Sequence, residues 1–289
     1  MTRTQCLLSL LLLTGCRPKL TADSGGKDDG ASGDDDGGED DGGQDDGDTD
    51  DTAEDTGAAE DPTLPDGERA VSGKAWFFDA EGVGQISEVL DVEGAEVWLL
   101  EDPSRRQVIE PDGLFRFEDL PEGAQVTVAL SHPDFYPSLT ATLPIGEDDV
   151  EGVTFQAVSW TIAEFLSALV GVDAHDPEVC SMVVTVTAIS DNQQSVYAVG
   201  EPDVTVTVSP APPSEAGPTY FNTSVLPDQS LLSSTTDGGV IVAGVTPGTY
   251  TWTGHKDGYT FRELTLRCEG GWMTNGSPPW GLQVLSEPE

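Results

Sequence analysis

From Val71 onward the sequence runs in short stretches of period-two alternation, and this feature restricts the possible folds most. Five such stretches, separated by Gly and Pro, are 71–78, 95–100, 113–120, 124–131 and 153–158. Alternation of this period is typical of strands with one buried face, and closely spaced turn residues favour a sandwich or barrel. The pattern therefore predicts an all-β fold of antiparallel strands.

The strand pattern occurs twice. Residues 111–137 and 236–261 share an Asp-Gly pair, a short strand, a Pro and a Gly, a second strand, and then His, Asp and Tyr at common spacing. Asp-Gly is a turn pair because Gly supplies a positive φ and Asp bonds its own backbone. Residues 93–100 and 200–208 form a matching strand before each copy. Two copies about 120 residues apart indicate two domains of one type rather than a solenoid.

The order of these segments resembles the carboxypeptidase-regulatory-like, transthyretin-like β-sandwich module of bacterial surface proteins. The resemblance is carried by Gly-Ala-x-Val-x-Leu at 94–99, Asp-Gly-x-Phe-x-Phe at 112–117 and Leu-Pro-x-Gly at 120–123. It implies two prealbumin-like (Ig-like) antiparallel β-sandwiches, at 67–158 and 176–289. The second copy is more divergent and contains a Pro-rich insertion at 210–218.

Between the two copies, residues 161–171 have helical periodicity. Ile162, Phe165, Leu166 and Leu169 share one face, and Gly171 suits a C-terminal cap. We predict a short linker helix within 159–175 that packs on one or both sandwiches. A helix lying on a membrane surface is the alternative, which the lack of basic residues disfavours.

Residues 21–66 are acidic and almost without apolar side chains. They carry sixteen Asp and three Glu against one Lys, with Leu64 as the only large aliphatic residue. Such a segment cannot bury enough apolar surface to offset the entropy of ordering it, so 16–66 is predicted to be a disordered tether. A calcium loop is the alternative, but Asp51 stands where the loop needs Gly, and no metal site is predicted.

The net charge of −41 excludes one class of partner. An acidic surface repels phosphate backbones, so no nucleic-acid partner is expected. Adsorption to anionic lipid headgroups is disfavoured for the same reason. Any membrane attachment must therefore be covalent or inserted.

The N-terminal segment supplies such an attachment. Arg3 precedes an apolar run at 6–13, which has the length of a signal-peptide core and is too short to span a bilayer. Leu13-Thr14-Gly15-Cys16 resembles the lipobox of bacterial lipoproteins. The resemblance implies removal of 1–15 as a signal peptide, lipidation of Cys16 and a place in the cell envelope. Arg17, which follows the Cys, favours the outer membrane by the same resemblance.

Four cysteines are present, and two of them belong to the N-terminal segment. Cys180 and Cys268 remain as an even pair in an exported setting, which favours a disulfide. Two separate buried thiols are the alternative. A metal site is disfavoured because neither Cys has a CxxC partner or a nearby His pair.

Two features are candidates for a functional site. Trp272 and Trp280 flank a Gly-Ser-Pro loop and form a possible binding surface, with packing at a sandwich end as the alternative. His132 and His255 each precede an Asp by two residues, but no nucleophile motif or second ligand accompanies them. A structural role in a loop is therefore expected for both His, and neither a catalytic residue nor a cofactor is predicted.

These features together predict an exported, lipid-anchored cell-envelope protein with a structural or binding role and no enzymatic activity. Its expected partners are the membrane, through the lipid anchor, and a cell-envelope glycan or protein. One alternative is a surface lipoprotein that binds carbohydrate or peptide through the loop of Trp272. A weaker alternative is an accessory domain of a peptidase or glycosidase system.

Overall fold

The structure, a computed structural model, describes residues 62–78, 86–87, 92–190, 193, 198–276 and 281–288. The predicted signal peptide, the proposed lipidation site Cys16, the acidic tract up to residue 61 and Trp280 lie outside these residues.

Strands dominate the described residues and confirm the predicted all-β class. In the first half they are β1 (Arg69–Phe78), β2 (Ile86–Ser87), β3 (Glu96–Leu99), β4 (Asp102–Val108), β5 (Leu114–Leu120), β6 (Gln125–Val126), β7 (Val128–His132), β8 (Phe135–Thr140), β9 (Leu143–Pro144) and β10 (Val150–Val158). Helix α1 (Trp160–Val170) follows. In the second half they are β11 (Cys180–Thr187), β12 (Thr205–Ser209), β13 (Thr219–Phe221), β14 (Pro227–Asp228), β15 (Gly239–Val245), β16 (Gly248–His255), β17 (Thr260–Phe261), β18 (Leu264–Cys268), β19 (Met273–Gly276) and β20 (Leu282–Ser286), with a 3-10 turn at Ser214–Ala216.

The first sandwich packs two layers around one apolar core. β1 lies between β10 and β5, and this layer faces β3, β4, β7 and β8. Alternate residues of both layers meet in the core, among them Val97 on β3, Leu130 on β7, Phe115 on β5 and Phe155 on β10. Burial of such apolar surface stabilises the fold by about 25 cal/mol per Å².

The second sandwich follows the same plan. β12, β16 and β18 form one layer, and β11 and β15 lie in the other. Trp252 on β16 is fully buried between the layers, together with Met182 on β11 and Leu266 on β18. Each copy of the repeat thus encloses an apolar core of its own, as expected for aligned sandwiches.

One sheet runs through both sandwiches. Its strand order is β14-β13-β15-β11-β19-β8-β7-β3-β4, and we call it the shared sheet. The joint between the two halves is the parallel pair β19–β8, in which Met273 to Asn275 pair with Ser138 to Thr140. The described residues of both halves accordingly belong to one compact unit. The domain boundaries at 67–158 and 176–289 stay a prediction, since a continuous sheet crosses them.

The two cores lie on opposite faces of the shared sheet. Leu139, Thr274 and Met182 are in register across the joint, and Met182 belongs to the second core. Ser138 is in register with Leu130, which belongs to the first core. Because neighbouring residues of a strand point to opposite faces, each half covers a different side of the shared sheet. Each half consequently leaves one face of the sheet for other elements to cover.

Helix α1 covers part of the face left by the second core, because its neighbours Met273 and Tyr136 are on the same face as Leu130. The predicted helix is confirmed: the Ser159 hydroxyl accepts a hydrogen bond from the Ile162 N–H at 3.3 Å, and Gly171 ends the helix at φ 77°. Ile162 and Ala163 are buried against Tyr136 on β8 and other side chains of the sheet. Among the described residues, no helix has both the length and the apolarity needed to cross a membrane.

The end of the acidic tract is docked on the first sandwich. Leu64 packs against its core, and the Leu64 N–H donates to Asp102 Oδ2 at 3.1 Å. Arg105 donates from Nη2 to the Leu64 carbonyl and from Nη1 to the Asp119 carbonyl. Burial acts to raise the pKa of Asp102, but hydrogen bonds from Ser104 and Leu64 and the charge of Arg105 lower it overall. The chain therefore leaves the sandwich from a fixed point, two residues before the predicted boundary at 66.

A disulfide joins the two layers of the second sandwich. Cys180 begins β11 and Cys268 ends β18, and both are almost fully buried. Their Cα atoms are 5.7 Å apart across a sequence separation of 88 residues. This pairing confirms the prediction made from the cysteine count.

Replacing both cysteines with alanine should lower the free energy of unfolding of the full chain by about 4–5 kcal/mol, because the unfolded chain regains the entropy of an open loop. Urea unfolding measures the change. Dithiothreitol should shift the wild-type midpoint toward that of the Cys180→Ala/Cys268→Ala variant and leave the variant itself unchanged. Equal midpoints for wild type and variant would contradict the prediction.

The two repeated Asp-Gly turns differ in burial. Asp112 is exposed, and its Oδ1 accepts the Leu114 N–H at 3.0 Å. Asp237 is half-buried and accepts one backbone hydrogen bond, from the Gly239 N–H at 3.3 Å. Burial outweighs this bond and raises the pKa of Asp237 to about 6. Between the ordinary pKa of 3.8 and the raised pKa of about 6, Asp237 is therefore protonated in the folded state. In the unfolded chain it has lost its proton over the same pH range.

Because the folded pKa of Asp237 is raised, stability should fall as the pH rises through the window from about 4 to about 6. Asp237→Asn keeps a side-chain oxygen for Gly239 and removes the charge. The variant should be more stable than wild type at pH 7 by about 2–3 kcal/mol, and the difference should vanish near pH 4. Denaturant unfolding at both pH values tests this, with Asp112→Asn as the exposed control. A pH-independent difference would contradict the assignment.

Candidate binding surface

The outward face of the first half of the shared sheet carries half-buried aromatic side chains and exposed charged side chains. On β3, Glu96 and Trp98 alternate with the buried Val97 and Leu99, so they project away from the first core. Across the strands Glu96 lies beside Ser131 on β7, and Trp98 lies beside Arg106 on β4. We call this surface the aromatic face; its members are Glu96, Trp98, Arg106, Ser131, Trp160 and Trp272.

Trp272, predicted from the sequence, lies at one end of the aromatic face. It occupies the turn between β18 and β19, is half-buried, and meets Trp98 edge-to-face with ring centroids 5.6 Å apart. The Arg106 guanidinium lies 5.7 Å from the Trp98 centroid and 3.5 Å from Glu96 Oε1. The aromatic side chain from the second half thus completes a surface built on the first. A role in ligand binding remains a prediction for Trp272, and Trp280 is outside the described residues.

Polar contacts hold the Trp272 turn against the first half. Arg267, on β18, pairs with Glu101 at 3.3 Å and with Glu269 at 2.8 Å. Glu101 also accepts the Thr127 N–H at 2.7 Å. The Trp272 carbonyl accepts the Ser181 N–H at 3.1 Å. The position of Trp272 therefore depends on both halves of the chain.

A cavity of about 560 Å³ lies at the other end of the aromatic face. Its lining comprises Gly94, Glu96, Val108, Ser131, His132, Pro133, Pro137 and Trp160. Trp160 is the first residue of α1, so the helix N-terminus brings an aromatic ring to the rim of the sheet. We call this the Trp160 cavity.

Neighbouring rings fix the orientation of Trp160. His175 stacks on its face with centroids 5.0 Å apart and an interplanar angle of 9°, and Tyr136 meets it edge-on. His175 is itself held by Glu164, whose Oε1 lies 3.0 Å from Nε2. Burial, with a contribution from the Asp173 charge, raises the pKa of Tyr136. The contacts with His175 and Tyr136 therefore fix the orientation of the Trp160 ring.

The two histidines singled out by the repeat do not pair with their Asp side chains. His132 Nδ1 accepts the Asp134 backbone N–H at 3.1 Å, and His255 Nε2 lies 2.8 Å from Thr207 Oγ1. His132 nevertheless lines the Trp160 cavity. Across the described ranges no group of three or more His, Cys, Asp or Glu side chains is placed to hold a metal ion.

Sequence reasoning missed Trp98 and Trp160. Trp98 occupies an outward position of an alternating strand, which was a usable signal because outward Trp residues are costly to expose. Trp160 carried no such signal, since only the packing of α1 places it on the rim.

A second open cavity, of about 660 Å³, lies on the outer layer of the first sandwich. Lys74, Trp76, Leu114 and Arg116 line it. Arg116 is paired with Glu118 and Asp149, and the Lys74 ammonium lies 4.8 Å from the Trp76 centroid. These contacts occupy its two cationic groups.

Comparisons with known proteins give only distant likenesses. Neither a protein-family model nor a curated protein matches the sequence. Among solved structures, a type II cohesin–X-dockerin complex of Acetivibrio cellulolyticus is 16% identical, covering 32% of this chain and 57% of that one, with a TM-score of 0.24. A minor pilin of Streptococcus agalactiae is 9% identical, covering 77% and 98%, with a TM-score of 0.26. A fimbrial protein of Bacteroides ovatus is 9% identical, covering 78% and 51%, with a TM-score of 0.21.

The chain thus spans little more than half the length of the first and third of these proteins. With such TM-scores the likenesses carry no argument about function.

Proposed function

We propose that the chain is an exported bacterial lipoprotein, anchored through Cys16 to the outer membrane, with a structural or binding role in the cell envelope. The observation that carries the proposal is the Cys180–Cys268 disulfide. Disulfides persist in oxidising compartments outside the cytosol, and the only other cysteines lie in the N-terminal segment that resembles a lipoprotein signal. The role we propose is not enzymatic.

The docked end of the acidic tract supports a structural role. Arg105 and Asp102 hold Leu64 on the first sandwich, so tension on the tract would reach a packed core and not a frayed strand. The shared sheet then connects this point to the second sandwich by backbone pairing. Such an arrangement suits a protein that displays a rigid unit away from the lipid surface.

Labelled palmitate should be incorporated into the wild type and lost from Cys16→Ala, because only the thiolate at this position can take the lipid. Cys6→Ala is the matched control, since Cys6 lies within the proposed signal peptide and should not affect labelling. Label retained in Cys16→Ala, or absent from the wild type, would refute the anchor.

The aromatic face favours a second, narrower candidate: binding of a glycan or peptide of the cell envelope. Trp98 and Trp272 are half-exposed and contact one another, and Arg106 holds Trp98 from the side. Aromatic pairs of this kind bury much apolar area at low cost in side-chain entropy. This candidate extends the prediction made from Trp272, because it adds Trp98 from the first half of the chain to the proposed binding surface.

Trp272→Ala and Trp98→Ala should each weaken retention on purified peptidoglycan sacculi about fivefold or more, because either change removes half of the aromatic pair. Trp76→Ala, on the opposite layer, is the matched control and should leave retention unchanged. Pull-down of the full chain measures the effect. Equal retention of all variants would refute the binding role of the aromatic face and would be consistent with the structural role alone.

A further inference from the structure

The Trp160 cavity is lined by two different kinds of side chain. Val108, Pro133, Pro137 and Trp160 are apolar, whereas Glu96, Ser131 and His132 are polar. A pyranose sugar has the same two-sided character, because its ring presents C–H groups on its faces and hydroxyl groups around its edge. A peptide side chain would use only one part of this lining.

Two polar side chains of the cavity, Ser131 and His132, have atoms free to bond a ligand. Because His132 Nδ1 accepts the Asp134 N–H, the proton of a neutral His132 ring lies on Nε2, which is then a donor. In the part of the chain that the structure describes, neither His132 Nε2 nor the Ser131 hydroxyl has a protein partner. Glu96 adds an acceptor beside Ser131 on the next strand.

Charge favours a neutral ligand. Glu96 is paired with Arg106, so this carboxylate and guanidinium largely cancel. The net charge of −41 repels anionic polymers from the whole surface. The cavity therefore has no excess of positive charge to attract a uronate or a phosphate.

The stacking wall is already ordered. His175 and Tyr136 hold the Trp160 ring, and Glu164 holds His175. A ring fixed before binding loses little further rotamer entropy when a ligand stacks on it. Trp160 is in this respect better prepared than Trp272, which relies on edge contact with Trp98.

We propose that the Trp160 cavity binds one neutral sugar unit of an extended glycan. Trp160 stacks on the C–H face of the sugar, and Glu96, Ser131 and His132 bond its hydroxyl groups. The inference rests on the proposed binding role of the aromatic face, of which this cavity is one end.

Isothermal titration of the full chain with cellohexaose and hexa-N-acetylchitohexaose, both neutral, tests the proposal, with hexagalacturonate as the anionic comparison. At least one neutral hexasaccharide should bind, hexagalacturonate should bind more weakly, and Trp160→Ala should weaken binding at least about tenfold. Trp160→Phe should stay within about threefold of wild type because a stacking ring remains, and His132→Gln should weaken binding several-fold. Trp76→Ala is the matched control. Urea unfolding of each variant shows that it folds.

Three outcomes would overturn the inference. If a neutral hexasaccharide binds and only Trp272→Ala weakens it, the binding role stands and the Trp160 cavity is not its site. Tighter binding of hexagalacturonate than of either neutral sugar would refute the ligand class. No binding of the neutral sugars up to about 5 mM would refute the inference, while sacculi pull-down reports separately on the broader binding role.

Discussion

The parallel pairing of β8 with β19 is the contact on which the rest of the structure depends. It joins strands that are far apart in sequence and makes one sheet of the two halves. Because alternate residues of the joint face opposite sides, the first core and the second core cover different faces. The face left open on the first half is the one that carries the aromatic side chains.

Side chains reinforce this joint and close the strand edges beside it. Arg267 reaches across to Glu101, and Trp272 packs on Trp98, so the second half steadies the outward surface of the first. At the far end, Gln107 bonds the Arg116 carbonyl at 2.8 Å and covers the exposed edge of β5. Covered edges do not template pairing with other chains.

The fold class and several individual residues could be predicted from the sequence. The alternation of the strands, the helix ended by Gly171 and the Cys180–Cys268 pair are all as expected, because each depends on local pattern or on a count. The site could be predicted only in part. Trp272 was predicted from the Gly-Ser-Pro loop that it flanks in the sequence, whereas Trp98 and Trp160 join it through strand pairing and helix packing.

The sequence by itself determined which residues share a strand face, where the chain turns and which segment cannot build a core. Only the tertiary structure decided that β8 and β19 pair, that Leu64 docks on Asp102 and Arg105, and that Asp237 is buried while Asp112 is not. The physical reason is the distance along the chain over which each kind of interaction acts. Period-two patterning acts over a few residues, but partner choice between distant strands is set by the burial of whole layers, which no local pattern encodes.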